Sequence, residues 1–277
     1  MSRFWKVHGL GNDFVLFDAL RGGDLIPAPR AVELCDRHTG IGADGVLTLL
    51  PGRAAPFFMH LFNADGSEAR MCGNGIRCLA RHIVEAGHHP GPAVPIETGA
   101  GVRLCRMERR AGGEVWVTVD MGPARFERAA VPMAGDGEFV GGSIRAGERE
   151  FTATALSMGN PHLVIFGSAD EALAARFGPL LERHPDFPDR VNVGFAEVDG
   201  PRRVRLRVWE RGCGLTRACG TGACAAAAAG VRLGRLEAAR PIEVLLPGGP
   251  LEVTVPGPGG SLLMAGPTAV VFTGRLE

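Results

Sequence analysis

Lysine is almost missing from this chain. Lys6 is the only one, so 29 of the 30 basic residues are arginine. A pyridoxal phosphate enzyme holds its cofactor on a lysine inside its site. Lys6 stands too near the N-terminus to serve, and that mechanism class drops out. The arginine excess itself reads as codon bias. Net charge is missing too: 30 acidic residues balance the 30 basic ones, and no basic run occurs. Neither nucleic acid nor a membrane surface is therefore expected as the main partner. No apolar run reaches the ~20 residues that span a bilayer. The opening residues lack the apolar centre of a signal peptide, so a cytoplasmic protein is expected. Cys-x-x-Cys pairs are absent as well. The seven cysteines, at 35, 72, 78, 105, 213, 219 and 224, are odd in number and widely spread. They suggest no disulfide framework. No Cys/His set has zinc-finger spacing, so no metal is expected.

What the chain has is a repeated cysteine motif. Residues 71–80 read Met-Cys-Gly-Asn-Gly-Ile-Arg-Cys-Leu-Ala. Apolar residues then fall at Ile76, Leu79, Ala80, Ile83 and Val84, which is helical spacing. Cys72 is thus expected at a helix mouth, where free N–H groups and the positive dipole end favour an anion. A thiolate there is expected to have a lowered pKa. Residues 218–224 repeat the pattern as Ala-Cys-Gly-Thr-Gly-Ala-Cys, followed by five alanines.

The repeat extends beyond the cysteines. Cys219 follows Cys72 by 147 residues, and Glu210 follows Asn63 by 147. Asn160 follows Asn12 by 148, Asn192 follows Asp44 by 148, and His184 follows His38 by 146. Five landmarks within one residue of a common offset imply a tandem duplication. The expected fold is α/β, of the α+β type, with two pseudo-symmetric domains. Each is a mostly antiparallel sheet wrapped around a central helix that opens at its cysteine. The halves are placed at 1–121 and 122–264, with a C-terminal strand near 265–277 returning to the first. Residues 122–150 hold six glycines and two prolines with little periodicity, and read as the crossing between them.

Duplicated domains usually face each other across a ligand cleft. If the two mouths do so, Cys72 and Cys219 flank one ligand. Two proton carriers on opposite faces of a carbon are what inversion of a stereocentre requires. The N–H groups of Gly73, Asn74, Gly220 and Thr221 would hold a substrate carboxylate and stabilise the charge that builds on it. No cofactor is needed. Asn12, Asn63, Asn160 and Asn192 are read as loop residues lining the site with neutral hydrogen-bonding groups. Glu210 and Arg211 offer one charge of each sign, suited to an amino-acid ligand. His162 fits a core position or a place near the site equally well. Cys35, Cys78, Cys105, Cys213 and Cys224 read as inert packing. Residues 220–225 formally match G-x-G-x-x-A. They do not clearly follow a strand, and no acidic residue stands at the distance a dinucleotide site needs.

Six stretches, taken in order, resemble the diaminopimelate epimerases: HGLGNDF (8–14), DRHTGIGADG (36–45), FNADGSEARMCGNGIRC (62–78), GNPH (159–162), NVGF (192–195) and ERGCGLTRACGTGACA (210–225). The resemblance implies two similar α/β domains and a cofactor-independent, two-cysteine conversion of LL-2,6-diaminopimelate to the meso form, on the route to lysine and peptidoglycan. It assigns catalysis to Cys72 and Cys219, with His162 and Glu210 in support. It assigns substrate contacts to Asn12, Asn63, Gly73, Asn74, Asn160, Asn192, Glu210, Arg211, Gly220 and Thr221. It also implies a homodimer. Departures are Gly45, where some members carry Gln, Leu215, where many carry Glu, and the extra thiols Cys213 and Cys224. Two other readings are weighed: a proline or hydroxyproline racemase, which usually carries His where Asn74 stands, and a non-catalytic amino-acid-binding protein.

Overall fold

The computed structural model describes residues 2–22, 25–257 and 259–276. The chain forms two compact units, Met1–Val119 with Ala265–Glu277, and Asp120–Met264. The first holds β1 (Ser2–Gly9), β2 (Asn12–Asp18), α1 (Ala28–Cys35), β3 (Gly45–Pro51), β4 (Phe57–Asn63), α2 (Gly73–Glu85), β5 (Ala93–Thr98) and β6 (Gly101–Arg109), and β7 (Val115–Gly122) leads out of it. The second holds β8 (Gly142–Ala146), β9 (Arg149–Ser157), β10 (Pro161–Phe166), α3 (Glu171–Glu182), β11 (Asn192–Val198), β12 (Arg203–Glu210), the short β13 (Gly214–Leu215), α4 (Gly220–Arg232), β14 (Pro241–Leu246) and β15 (Gly249–Thr254). Last comes β16 (Leu262–Leu276), which runs beside both β1 and β7.

Most neighbouring strands are antiparallel. The parallel pairs of the first unit are β2–β3 and β4–β5, and those of the second are β10–β11 and β12–β14. Each parallel step is made through a helix, because parallel neighbours need a crossover long enough to hold one. The run β1-β2-α1-β3-β4-α2-β5-β6 is thereby repeated as β9-β10-α3-β11-β12-α4-β14-β15. This is a two-domain α+β fold built by duplication.

The central helices explain the sequence around each cysteine. In α2 every residue from Gly73 to Ala80 is buried, as are His82 and Ile83. The helix packs against β1, β2, β3, β5 and β6. Burying Ile76, Leu79 and Ile83 contributes roughly 1.5–3 kcal/mol each. In α4 the run Ala223–Ala229 is buried throughout, facing β9, β10, β11, β12, β14 and β15. Methyl groups let the sheet close tightly around the helix.

Two expectations change. Residues 122–150 are more than a crossing. They supply β8, antiparallel to β9, and bury Val131, Met133, Phe139, Ile144 and Ala146 in the core of the second unit. Their apolar residues are separated by glycine turns, which hides any period. The asparagines are also less loop-like than expected. Asn12 and Asn192 begin strands and Asn63 ends one, while Asn160 lies between β9 and β10. Strand ends hold a side chain more firmly than loops do.

Candidate active site

In the first unit Cys72 is the N-cap of α2, with extended backbone angles. Its Sγ accepts from the Gly75 amide at 3.5 Å and lies 3.8 Å from Oδ1 of Asn12. Asn12 is held at both ends of its amide. Its Oδ1 accepts from Asn74 Nδ2 at 3.0 Å, and its Nδ2 donates to Asp44 Oδ2 at 2.8 Å. Asn74 is in turn fixed by the fully buried Arg77, which donates to its Oδ1 at 2.9 Å and to the Gly73 carbonyl at 3.1 Å. Behind Asp44, Arg37 bridges Asp44 and Asp13, each at 2.8 Å, and Lys6 pairs with Asp13. Burial pushes the Asp13 carboxyl up, but hydrogen bonds from Arg37 and Lys6 outweigh it and hold it at about 2. Asn63, at the end of β4, donates to Ser67 Oγ at 3.0 Å.

In the second unit Cys219 holds the matching N-cap position of α4, also with extended angles, but its side chain makes no cap bond to the helix amides. Its Sγ donates to Oε2 of Glu210 at 3.1 Å and lies 3.7 Å from Thr221 Oγ1. The other oxygen of Glu210 accepts from Thr216 Oγ1 at 2.5 Å. Burial raises the Glu210 carboxyl, against the hydrogen bonds from Thr216 and Cys219. Burial and the Glu210 charge together push the Cys219 thiol well above the ordinary cysteine value. A lowered value is expected at a helix mouth; here desolvation and a neighbouring carboxylate outweigh the dipole. Cys219 is thus a thiol, with its proton on a bond to a carboxylate.

His162 is buried, and its Nε2 shares a 3.0 Å bond with Asn160 Oδ1. Burial, with the Arg211 charge, pulls its pKa down to about 3, so the ring is neutral. Asn160 passes the contact on, donating to Thr221 Oγ1 at 3.2 Å. Asn192 donates to the Pro161 carbonyl at 2.8 Å and accepts from the Arg211 amide at 3.0 Å. The Arg211 guanidinium reaches the Asp189 carbonyl at 2.9 Å.

The duplication is therefore visible in contacts as well as in order. In each unit the asparagine at the turn of the matched hairpin, β1–β2 or β9–β10, bonds to the side chain two residues past the cysteine, Asn12 to Asn74 and Asn160 to Thr221. In the first unit the structure gathers Cys72, Asn12 and Asn74 into one network. In the second it gathers Cys219, Glu210, Thr221, Asn160 and His162. Asn192 joins Arg211 beside that group, and the Asn63 side chain, among the described residues, bonds within its own turn to Ser67. Gly73 and Gly220 are the first residues of their helices.

The motifs alone do not mark Asp44, Arg77 and Thr216 as parts of the site. Asp44 carried a signal, since it keeps the repeat offset with Asn192. The others carried none beyond lying near a motif. The Gly45 departure has a physical basis: a Cβ there would stand 2.6 Å from the Phe62 carbonyl oxygen. No longer side chain fits at that position without a backbone shift.

Comparison with known proteins bears on this arrangement. The family model for diaminopimelate epimerase matches residues 4–127 and 154–271. A diaminopimelate epimerase from Desulforudis audaxviator is 50% identical over 277 residues, covering 98% of each chain. One from Pelotomaculum thermopropionicum is 45% identical, again with 98% of each chain covered. Among solved structures, a probable proline racemase from Agrobacterium radiobacter has the same fold, with a TM-score of 0.70 at 19% identity over 100% of this chain and 93% of that one. The chain belongs to the diaminopimelate epimerase family.

Proposed function

We propose that this protein epimerises LL-2,6-diaminopimelate to the meso form, with Cys72 and Cys219 as the paired acid and base. Family membership carries the reaction class, a PLP-independent amino-acid epimerisation. The observation that carries the residue roles is the Cys219–Glu210 bond. Glu210 takes the Sγ proton of Cys219, and the resulting thiolate removes the α-hydrogen of the substrate as a proton. The thiol of Cys72 then gives its proton to the opposite face of the carbon, which inverts it. In the reverse direction the two exchange roles. Amide groups of Gly73, Asn74, Gly220 and Thr221 hold the reacting carboxylate, where their dipoles oppose the growing charge. Asn12, Asn63, Asn160, Asn192, Glu210 and Arg211 bind the rest of the substrate, and His162 holds Asn160 in place. Each duplicated unit forms one half of the enzyme, which works in the cytoplasm as a homodimer in lysine biosynthesis. No described helix is long and apolar enough to cross a membrane.

The test is an epimerisation assay on LL-diaminopimelate and on proline, in heavy water, with Cys72→Ser and Cys219→Ser. Turnover of diaminopimelate alone is expected, with both variants reduced by at least about 100-fold. Each variant should lose solvent exchange from one stereoisomer first. Proline turnover would point to the racemase reading. Near-normal activity in either variant would remove the two-base mechanism, and binding without turnover would identify an amino-acid-binding protein.

A further inference from the structure

At the end of α2 far from Cys72, the chain turns back on itself. The amides of Gly87 and His88 donate to the carbonyls of Val84 and Ile83, at 3.1 and 3.0 Å. This double closure needs a left-handed residue at its first position, and Gly87 supplies it with φ +73°. The reversal brings His88 back beside His82, in the last turn of α2, with ring centroids 6.1 Å apart. Asp18, the last residue of β2, reaches both rings. Its Oδ2 is 3.0 Å from Nε2 of His82 and 2.6 Å from Nε2 of His88. Its Oδ1 accepts from the Leu20 amide at 3.2 Å, which fixes the carboxylate. Trp5 packs edge-on to the His82 ring, with centroids 4.4 Å apart.

From this we infer that Asp18, His82 and His88 bind a divalent transition-metal cation of the zinc class. The three ligand atoms lie within 4.8 Å of one another. A tetrahedral ion with bonds of about 2.0–2.2 Å spaces its ligand atoms by about 3.4 Å, so small rotamer changes complete the site. Two imidazoles and one carboxylate suit zinc, cobalt or nickel better than calcium or magnesium. The carboxylate brings one negative charge, and the C-terminal end of α2 adds its dipole. Arg81, one residue before His82, is drawn away by Glu85 at 3.0 Å and by the Thr268 carbonyl at 2.6 Å. On binding, each ring carries its proton on Nδ1 and offers the Nε2 lone pair to the ion. Water fills the remaining position. The ion ties β2 to the far end of the helix that Cys72 caps. Spacing between cysteines gives no hint of this set, because its members are an aspartate from β2, a histidine from α2 and a histidine from the turn that follows α2.

The full-length protein is titrated with Zn2+ by calorimetry and with Co2+ by absorption spectroscopy. One equivalent is expected to bind, raising the melting temperature. The cobalt spectrum should show ligand-field bands without thiolate charge transfer. His88→Gln and Asp18→Asn should each weaken binding by at least about ten-fold, while Cys213→Ser leaves it unchanged. On the wild-type protein, ring resonances of two histidines should shift with Zn2+, a readout that does not depend on any variant folding. Absence of binding, thiolate charge transfer, unmoved histidine resonances or unchanged affinity in His88→Gln would each overturn the inference.

Discussion

The thiol of Cys219 donates to Oε2 of Glu210 across 3.1 Å, and burial beside the Glu210 charge favours the protonated form of that thiol. Glu210→Gln keeps the shape of this pair and removes the proton acceptor. Turnover should fall by about 10²–10⁴-fold, the usual worth of a positioned acid or base. Circular dichroism should be unchanged. A variant that retains a third or more of wild-type kcat would exclude Glu210 from the proton path.

His162 makes folding sensitive to acid. Its pKa is about 3 in the folded protein, against an ordinary value of 6.5. Between those values the unfolded chain binds a proton that the folded chain refuses. Stability from this group is complete above pH 6.5 and falls as pH drops toward 3, with a slope of at most about 1.4 kcal/mol per pH unit. Denaturant unfolding measured from pH 7 to 4 should show that slope, and His162→Gln should flatten it. A slope equal in both proteins would rule the histidine out as its source.

Ala226 is fully buried in α4, enclosed by the sheet of its unit. Ala226→Leu has no space to enter without moving a strand. A loss of at least about 1–3 kcal/mol is expected, read as a lower denaturant midpoint. Ala226→Gly tests the other direction, since it opens space and lowers helix propensity by about 1 kcal/mol. If the leucine variant were as stable as the parent, α4 would not be tightly enclosed.

The two helix mouths were legible because their cause is local: glycines after a cysteine, followed by helical periodicity. The duplication was legible because polar landmarks kept their spacing. What stayed hidden depends on long-range packing. β8 is the exception: it pairs with β9 across a two-residue turn at Gly147–Glu148, a local hairpin, but with only five residues its alternation of Ile144 and Ala146 is too brief to stand out among the surrounding glycines. Glu182 is a sharper case. It ends α3, yet it accepts from Trp209 Nε1 at 2.7 Å and from the Gly212 amide at 3.0 Å, on either side of Glu210. Nothing in the residues near position 182 points to a partner some thirty positions ahead. The direction of the Cys219 shift was likewise unreadable, because burial is a property of the whole unit.

The position of β16 carries a consequence for how the molecule is made. β16 runs beside β1 and β7, so the strands of the first unit wait for a segment synthesised only after the whole second unit. Until then β1 and β7 expose unpaired backbone edges, which invite pairing with other chains. The second unit has no such wait beyond its last few residues. During biosynthesis the N-terminal unit is therefore the later one to mature, and a ribosome stalled before Ala265 would hold a nascent chain prone to aggregate.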